Sequence, residues 1–231
     1  MQERKLIQTA DGSFTLLLPE WNESYHSVHG AIREAVHVFI QNGLMKIKNL
    51  KEISVLEIGF GTGLNGLLSG LFAIDNPLKI NYTGLEKYPL NPDEFLRMNY
   101  PESIAESLYT GDSKEDIEKI YLKMMQSEWG KPQCIHQHFM LQKIQTDFRS
   151  FDYPEATFDL VYFDAFGARV QPELWTVELF EKIHFCMKTN GLLTTYSAKG
   201  SVRRALKELG FEVHKLSGPP GKREMLNAIK K

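Results

Sequence analysis

Residues 53 to 66, ISVLEIGFGTGLNG, constrain this chain more than any other stretch. Ile53, Val55, Leu56 and Ile58 make an apolar run suited to a strand, Gly59-Phe60-Gly61-Thr62-Gly63 follows, and an apolar helix can begin at Leu64. Glycines at alternate positions permit a tight strand-to-helix turn and let a ligand approach the backbone. The N–H groups of the helix start then face whatever binds there. A dinucleotide loop reads GxGxxG, whereas Leu64 occupies the place of its last glycine here. Glu86 ends the next expected strand, where a carboxylate can accept hydrogen bonds from both ribose hydroxyls of an adenosyl ligand. Glu86 serves several adenosyl ligands; the loop spacing, with Glu57 two residues before Gly59, favours S-adenosylmethionine.

Around this unit short apolar runs alternate with amphipathic ones. Strands are expected at 53–58, 81–85, 158–163 and 192–196, with helices at 64–74, 172–187 and 202–209. The first helix stops near Pro77, and runs 211–216 and 225–229 close the sheet as an antiparallel pair. This order predicts an α/β Rossmann-like fold with a mostly parallel, seven-stranded sheet. Residues 1–45 differ from the rest. Phe14 to Leu18 suggests a strand with a hairpin-like entry at Asp11-Gly12, and apolar spacing from Gly30 to Asn42 suggests a helix ended by Gly43. That segment is too small to fold alone and is expected to pack on a catalytic domain at 46–231. Residues 103–132 are expected to form a helical insertion or lid, with a charged helix at 112–129, and 134–146 one strand leading to Asp147.

The chain has 231 residues, 42% of them hydrophobic, enough for one sizeable core. Lys and Arg total 27 against 29 Asp and Glu, so net charge does not advertise nucleic-acid binding. No apolar run has signal-peptide or membrane-span length, and a soluble, cytoplasmic chain is expected. Cys134 and Cys186 are expected to stay reduced, and no metal-ligand spacing is present.

Asp164 follows the apolar run FDLVYF and opens DAFGARVQPELW. Strand carboxyl ends border the ligand crevice of an open α/β sheet, which makes Asp164 the candidate catalytic residue. Methyl transfer to an amine needs an unprotonated nitrogen behind the methyl group, and a carboxylate can orient that amine and stabilise its developing charge. Deprotonation also calls for desolvation, water or another base. Asp147, with Phe148, is a candidate for the adenine side, or a helix cap.

Segments 57–65, 85–90, 164–175, 192–211 and 221–226 (EIGFGTGLN, LEKYPL, DAFGARVQPELW, LLTTYSAKGSVRRALKELGF, GKREML), with GAIREAVHVF near the start, resemble the methyltransferase domain of the MnmC family. The resemblance implies a class I methyltransferase fold, S-adenosylmethionine as donor, and N-methylation of the aminomethyl group on wobble (2-thio)uridine of tRNA. It carries Glu57, Gly59, Gly61 and Gly63 onto the cofactor loop, together with Phe60, Thr62 and Asn65. It sets Glu86, beside Lys87, on the ribose, Asp147 near adenine, and Asp164 at the catalytic position. Glu34 then borders the pocket and Phe166 walls the uracil site or packs on the sheet edge. Tyr25, His26 and Ser27, with His29, are expected near the entrance, and Lys199, Arg203, Arg204, Lys222 and Arg223 as phosphate contacts.

MnmC proteins usually carry a fused FAD-dependent oxidoreductase. Here the expectation is methyl transfer without oxidation, by a monomer, with a separate oxidoreductase upstream. After Asp164 the family commonly reads Gly-Phe-Ala-Pro, where this chain has Ala165, Phe166, Gly167 and Ala168. Rival readings are another class I methyltransferase or an aminopropyltransferase acting on a small amine, and a non-catalytic adenosyl-ligand or RNA-binding module.

Overall fold

Strands β1 (Lys5–Gln8), β2 (Phe14–Leu18) and β3 (Glu23–Ser24) form a small antiparallel sheet in the computed structural model, which describes residues 3–76, 78–108 and 114–231. Asp11 organises its first turn, because Oδ1 accepts the hydroxyls of Thr9 and Ser13 at 2.7 and 2.5 Å. The same carboxylate accepts the Arg33 N–H at 3.0 Å through Oδ2, satisfying a free donor at the start of helix α1 (Ala31–Ala35). From Val36 to Gln41 the helix widens into a π turn. Asn42 N–H reaches back to His37, which leaves the Val38 carbonyl to accept the Thr194 hydroxyl at 3.1 Å. The expected single helix over 30–42 therefore changes its winding where it docks on the main sheet.

That sheet holds β4 (Glu52–Ile58), β5 (Lys79–Glu86), β6 (Gln133–His136), β7 (Phe139–Gln145), β8 (Phe158–Phe163), β9 (Met187–Thr195), β10 (Glu212–Ser217) and β11 (Glu224–Ile229), in the order β10-β11-β9-β8-β4-β5-β7-β6. Strands β7, β5, β4, β8 and β9 run parallel, and β6, β11 and β10 are antiparallel to their neighbours. The Rossmann-like class holds, with eight strands where seven were expected. The extra one comes from 134–146, which is a β6–β7 hairpin rather than one strand. Its turn at Gln137-His138 carries neither glycine nor proline, and its bulge between Cys134 and His136 leaves little trace in the apolar pattern. The chain builds outward from β4 through β5 to β7, then returns to β8 on the other side of β4. The carboxyl ends of β4 and β8 thus meet at a topological switch point.

Helix α2 (Leu64–Asp75) covers one face of the sheet; the expected stop at Pro77 lies outside the described residues. The stretch expected to insert helices holds α3 (Pro92–Phe95), just upstream, then α4 (Tyr100–Ser107) and α5 (Lys114–Gln126); positions 112 and 113 of the expected charged helix lie outside the described residues. Helix α5 buries Ile117, Tyr121, Met124 and Met125, and Tyr121 donates its hydroxyl to the Thr62 carbonyl at 3.1 Å. On the opposite face lie α6 (Val177–Cys186) and α7 (Gly200–Glu208). The helix expected from Pro172 starts later, because a 3-10 turn spans Pro172–Leu174 and Thr176 caps α6 through the Leu179 N–H. Among the described residues no helix is long and apolar enough to cross a membrane.

Phe60, 2% exposed, lies flat over Gly84 of β5, where a Cβ would overlap Phe60 Cδ2. Gly84→Ala is expected to cost about 1–3 kcal/mol by overpacking. Urea unfolding checks this, and an unchanged midpoint would contradict the packing described.

Candidate functional site

The glycine turn leaves β4 at Gly59 (φ 96°). A side chain there would come within 2.7 Å of the Asp164 carbonyl, so glycine is required by close approach as well as by backbone angle. The N–H groups of Gly59 and Phe60 donate to the Leu85 carbonyl at 3.1 and 2.9 Å, and Asp164 N–H donates to Ile58 at 3.0 Å. The turn is thereby pinned between β5 and β8. Gly61 (φ 52°) lies under the ring of Tyr25, 3.2 Å from where its Cβ would stand. Its N–H donates to Glu86 Oε2 at 3.0 Å, and Tyr88 N–H donates to Glu86 Oε1 at 2.7 Å. Two backbone donors fix the Glu86 carboxylate and leave lone pairs on both oxygens for further donors.

A cavity of about 280 Å³ opens above this turn. Of the residues singled out from sequence, Gly59, Phe60, Gly61, Thr62, Asn65, Glu86, Lys87, Asp147, Phe148, Asp164, Tyr25, His26, Ser27, Glu34, Phe166 and Lys222 line it. Glu57 and Gly63 lie beneath. Glu57 is fully buried, accepting Asn65 Nδ2 on Oε1 at 2.8 Å and the Tyr82 hydroxyl on Oε2 at 2.7 Å. It supports the floor instead of touching the space above, and burial pushes its carboxyl well above the usual range. Gly63 begins α2 and packs against Met125. Lys199 and Arg223 line an adjoining open groove that shares Tyr196 and Lys222 with the cavity; Arg203 and Arg204, on α7, line neither.

Asp164 Oδ2 accepts the second hydrogen of Asn65 Nδ2 at 2.8 Å. Burial and then the charge of Glu34 push the Asp164 carboxyl well above its ordinary value, against the Asn65 hydrogen bond and the Lys222 ammonium. Asn65 Oδ1 is buried with no partner. The site therefore brings the carboxyls of Glu34, Glu57, Glu86 and Asp164 close to a glycine-walled space with an orphaned acceptor, and of these four Glu34 alone is ion-paired among the described residues, with Lys222. An adenosyl donor bearing a positive sulfonium fits this set.

Four sequence expectations change. Asp147 was expected beside adenine, yet Lys87 Nζ and Arg149 Nη2 both lie 2.8 Å from Oδ2, while Arg149 N and Nε occupy Oδ1 at 3.0 and 3.1 Å. Arg149 first, then Lys87, holds its carboxyl well below the carboxylate range, and an adenine amine must displace one of these donors. Lys222, expected on phosphate, bonds Glu34 Oε1 at 2.5 Å and stands 3.8 Å from the Tyr196 ring centre. His26 is buried, with Nδ1 3.1 Å from Thr15 Oγ1, so its ring belongs to the wall rather than the entrance. His29 lies against Gly221. Tyr25 and Trp21 instead meet Phe166 edge-on at 5.0 and 5.6 Å, forming an aromatic mouth.

Sequence reasoning missed Trp21, Arg4, Arg149 and Tyr196. Arg4 donates to Glu94 at 2.9 Å and to the Tyr88 carbonyl at 2.6 Å, strapping the N-terminal sheet to the segment after β5. Tyr196 donates to the Ala165 carbonyl at 2.8 Å, next to Asp164. Arg149 alone had a local signal, its place two residues after Asp147.

Burial depresses the His26 pKa to about 4. The ring stays neutral when folded and takes a proton when unfolded, so its contribution is complete above about pH 6.5 and is lost as pH falls towards 4. Relative to His26→Asn, the parent should lose roughly 3 kcal/mol of unfolding free energy across that window. Parallel stability curves for the two proteins would refute it.

Residues 133–231 match a family model described as S-adenosyl-L-methionine-dependent methyltransferase. The bifunctional protein MnmC of Burkholderia multivorans, described as acting in tRNA 5-methylaminomethyl-2-thiouridine biosynthesis, is 28% identical over 225 residues, covering 92% of this chain and 33% of the relative. Its Cupriavidus metallidurans counterpart is 27% identical over 214 residues, covering 90% and 31%. The chain thus spans about a third of the length of the curated relatives it matches. The crystal structure of MNMC2 from Aquifex aeolicus superposes with a TM-score of 0.79 at 28% identity, covering all of this chain and 71% of that one. Likeness in sequence along nine-tenths of the chain and in structure along all of it converge on one domain, and the chain is similar throughout to the S-adenosylmethionine-dependent methyltransferase domain of MnmC proteins.

Proposed function

We propose that this domain methylates the nitrogen of a 5-aminomethyl group on wobble (2-thio)uridine in tRNA, giving 5-methylaminomethyl-(2-thio)uridine. The observation that carries the reading is Asp164: a half-buried carboxyl at the switch point, held by Asn65 and facing the cavity beside the glycine turn. The names of the MnmC relatives supply the acceptor. Gly59, Gly61, Asn65 and Glu86 would hold the donor, with Phe148 on its adenine side. S-Adenosylmethionine supplies an electrophilic methyl carbon, and its sulfur keeps the electron pair of the broken S–C bond.

An aminomethyl group enters largely as ammonium. Asp164, raised by burial and Glu34, is a better proton acceptor than an ordinary carboxylate and takes one proton from that nitrogen. The freed lone pair forms the N–C bond, and the product leaves as a secondary ammonium while Asp164 returns its proton to solvent. Trp21, Tyr25 and Phe166 offer aromatic faces and edges for an extruded pyrimidine. Lys199 and Arg223 in the open groove, with Arg203 and Arg204 on α7, supply phosphate contacts along the approach. In this reading a flavin-dependent oxidoreductase upstream supplies the primary amine, and the enzyme works as a cytoplasmic monomer.

Hypomodified tRNA incubated with donor should gain one methyl on the aminomethyl-uridine, read by mass spectrometry of its nucleosides. Transfer to free amines but not to tRNA would overturn the acceptor assignment. Asp164→Asn should lower kcat by about 10²-fold or more while donor binding persists. The rate of the parent should fall as pH drops through the Asp164 titration, and a retained rate in Asp164→Asn would remove that residue from the chemistry.

A further inference from the structure

The Glu34–Lys222 ion pair lies in the wall of the Asp164 cavity and neither gives nor takes a proton in the transfer described above. Its partners are 188 residues apart, one on α1 and one in the turn before β11. Both are held in place. Glu34 is 7% exposed and accepts the Ser27 N–H on Oε2 at 2.8 Å. Lys222 is wedged between Glu34 and the Tyr196 ring, at the boundary shared by the cavity and the open groove.

We propose that this pair is a positioning device for Asp164, setting opposite charges beside one carboxyl so that their balance fixes where it exchanges its proton. The proposal rests on the methyl-transfer reading for its purpose, though not for its physics. Glu34 pushes Asp164 towards its acid form and Lys222 towards its carboxylate. The other groups around it come from separate elements: Glu57 on β4, Tyr82 and Glu86 on β5, Tyr196 after β9, and His26 between β3 and α1. They are common to every variant below. A pair serving packing alone would respond to loss of either partner in the same way. A charge balance must respond in opposite ways.

The test is the titration of the Asp164 carboxyl carbon by ¹³C NMR in the ligand-free protein, assigned with Asp164→Asn, together with the pH dependence of kcat/KM on tRNA. Lys222→Met should move both titrations to higher pH and Glu34→Gln should move both to lower pH. Lys222→Arg should stay near the parent, and the double variant Glu34→Gln/Lys222→Met should fall between the single ones. Shifts of the two single variants in the same direction, or no shift in either, would overturn the proposal. If Lys222→Met does not fold, the Lys222→Gln shift is read in its place. Opposite NMR shifts in a protein that methylates no tRNA would instead reject the functional reading and leave the charge balance standing.

Discussion

The side-chain amide of Asn65 donates one hydrogen to Glu57 and the other to Asp164, both at 2.8 Å, and so ties the end of β4, the first turn of α2 and the end of β8 to one group. A fully buried carboxyl beside a half-buried one is costly unless each finds a donor. Asn65 supplies one to each, and Tyr82 adds a second to Glu57. The same geometry explains the glycines. With the ends of β4 and β8 drawn together, Gly59 lies against the Asp164 carbonyl and no side chain fits between them. The cofactor turn and the candidate catalytic acid are therefore one construction, and neither can be shifted without the other.

The N-terminal sheet completes this construction from outside. Tyr25 lies on Gly61, Ser27 holds Glu34, and Glu34 holds Lys222, which comes from the far end of the chain. Arg4 fastens the same sheet to the segment after β5, and Asn99 fastens it to the start of α4 through the Phe14 N–H at 2.7 Å. The first forty residues thus wall the cavity as much as they cover the main sheet.

What was legible in the sequence follows from the range of the forces involved. The glycine turn and Asp164 announce themselves because each lies at the end of an apolar run, where local pattern and topology agree. The β6–β7 hairpin was hidden because Gln137-His138 carries no turn chemistry. The surroundings of Asp147 were hidden for another reason. Its type and position suit an adenine contact, but Lys87 reaches it across 60 residues and no sequence spacing records that. Lys222 is the clearest case, since a basic residue beside Arg223 reads as a solvated pair until the fold sets it on Glu34 and Tyr196.

The cations around the cavity are taken up in ion pairs, while several of its acids are not. Arg4 pairs with Glu94, Lys87 and Arg149 with Asp147, and Lys222 with Glu34, and where those pairs meet solvent they add little stability. Glu57, Glu86 and Asp164 form no ion pair among the described residues, so a positive charge added near them is felt strongly. A cavity with that balance accommodates one positive ligand readily. A second cation beside the first meets like-charge repulsion that the remaining acids only partly offset, and the lower-energy state is one in which the second sheds a proton. In the proposed reaction the acceptor amine is that second cation and Asp164 is the neighbouring group able to receive the proton. The same excess of acids that attracts the amine thus favours its neutral, nucleophilic form once the donor is in place.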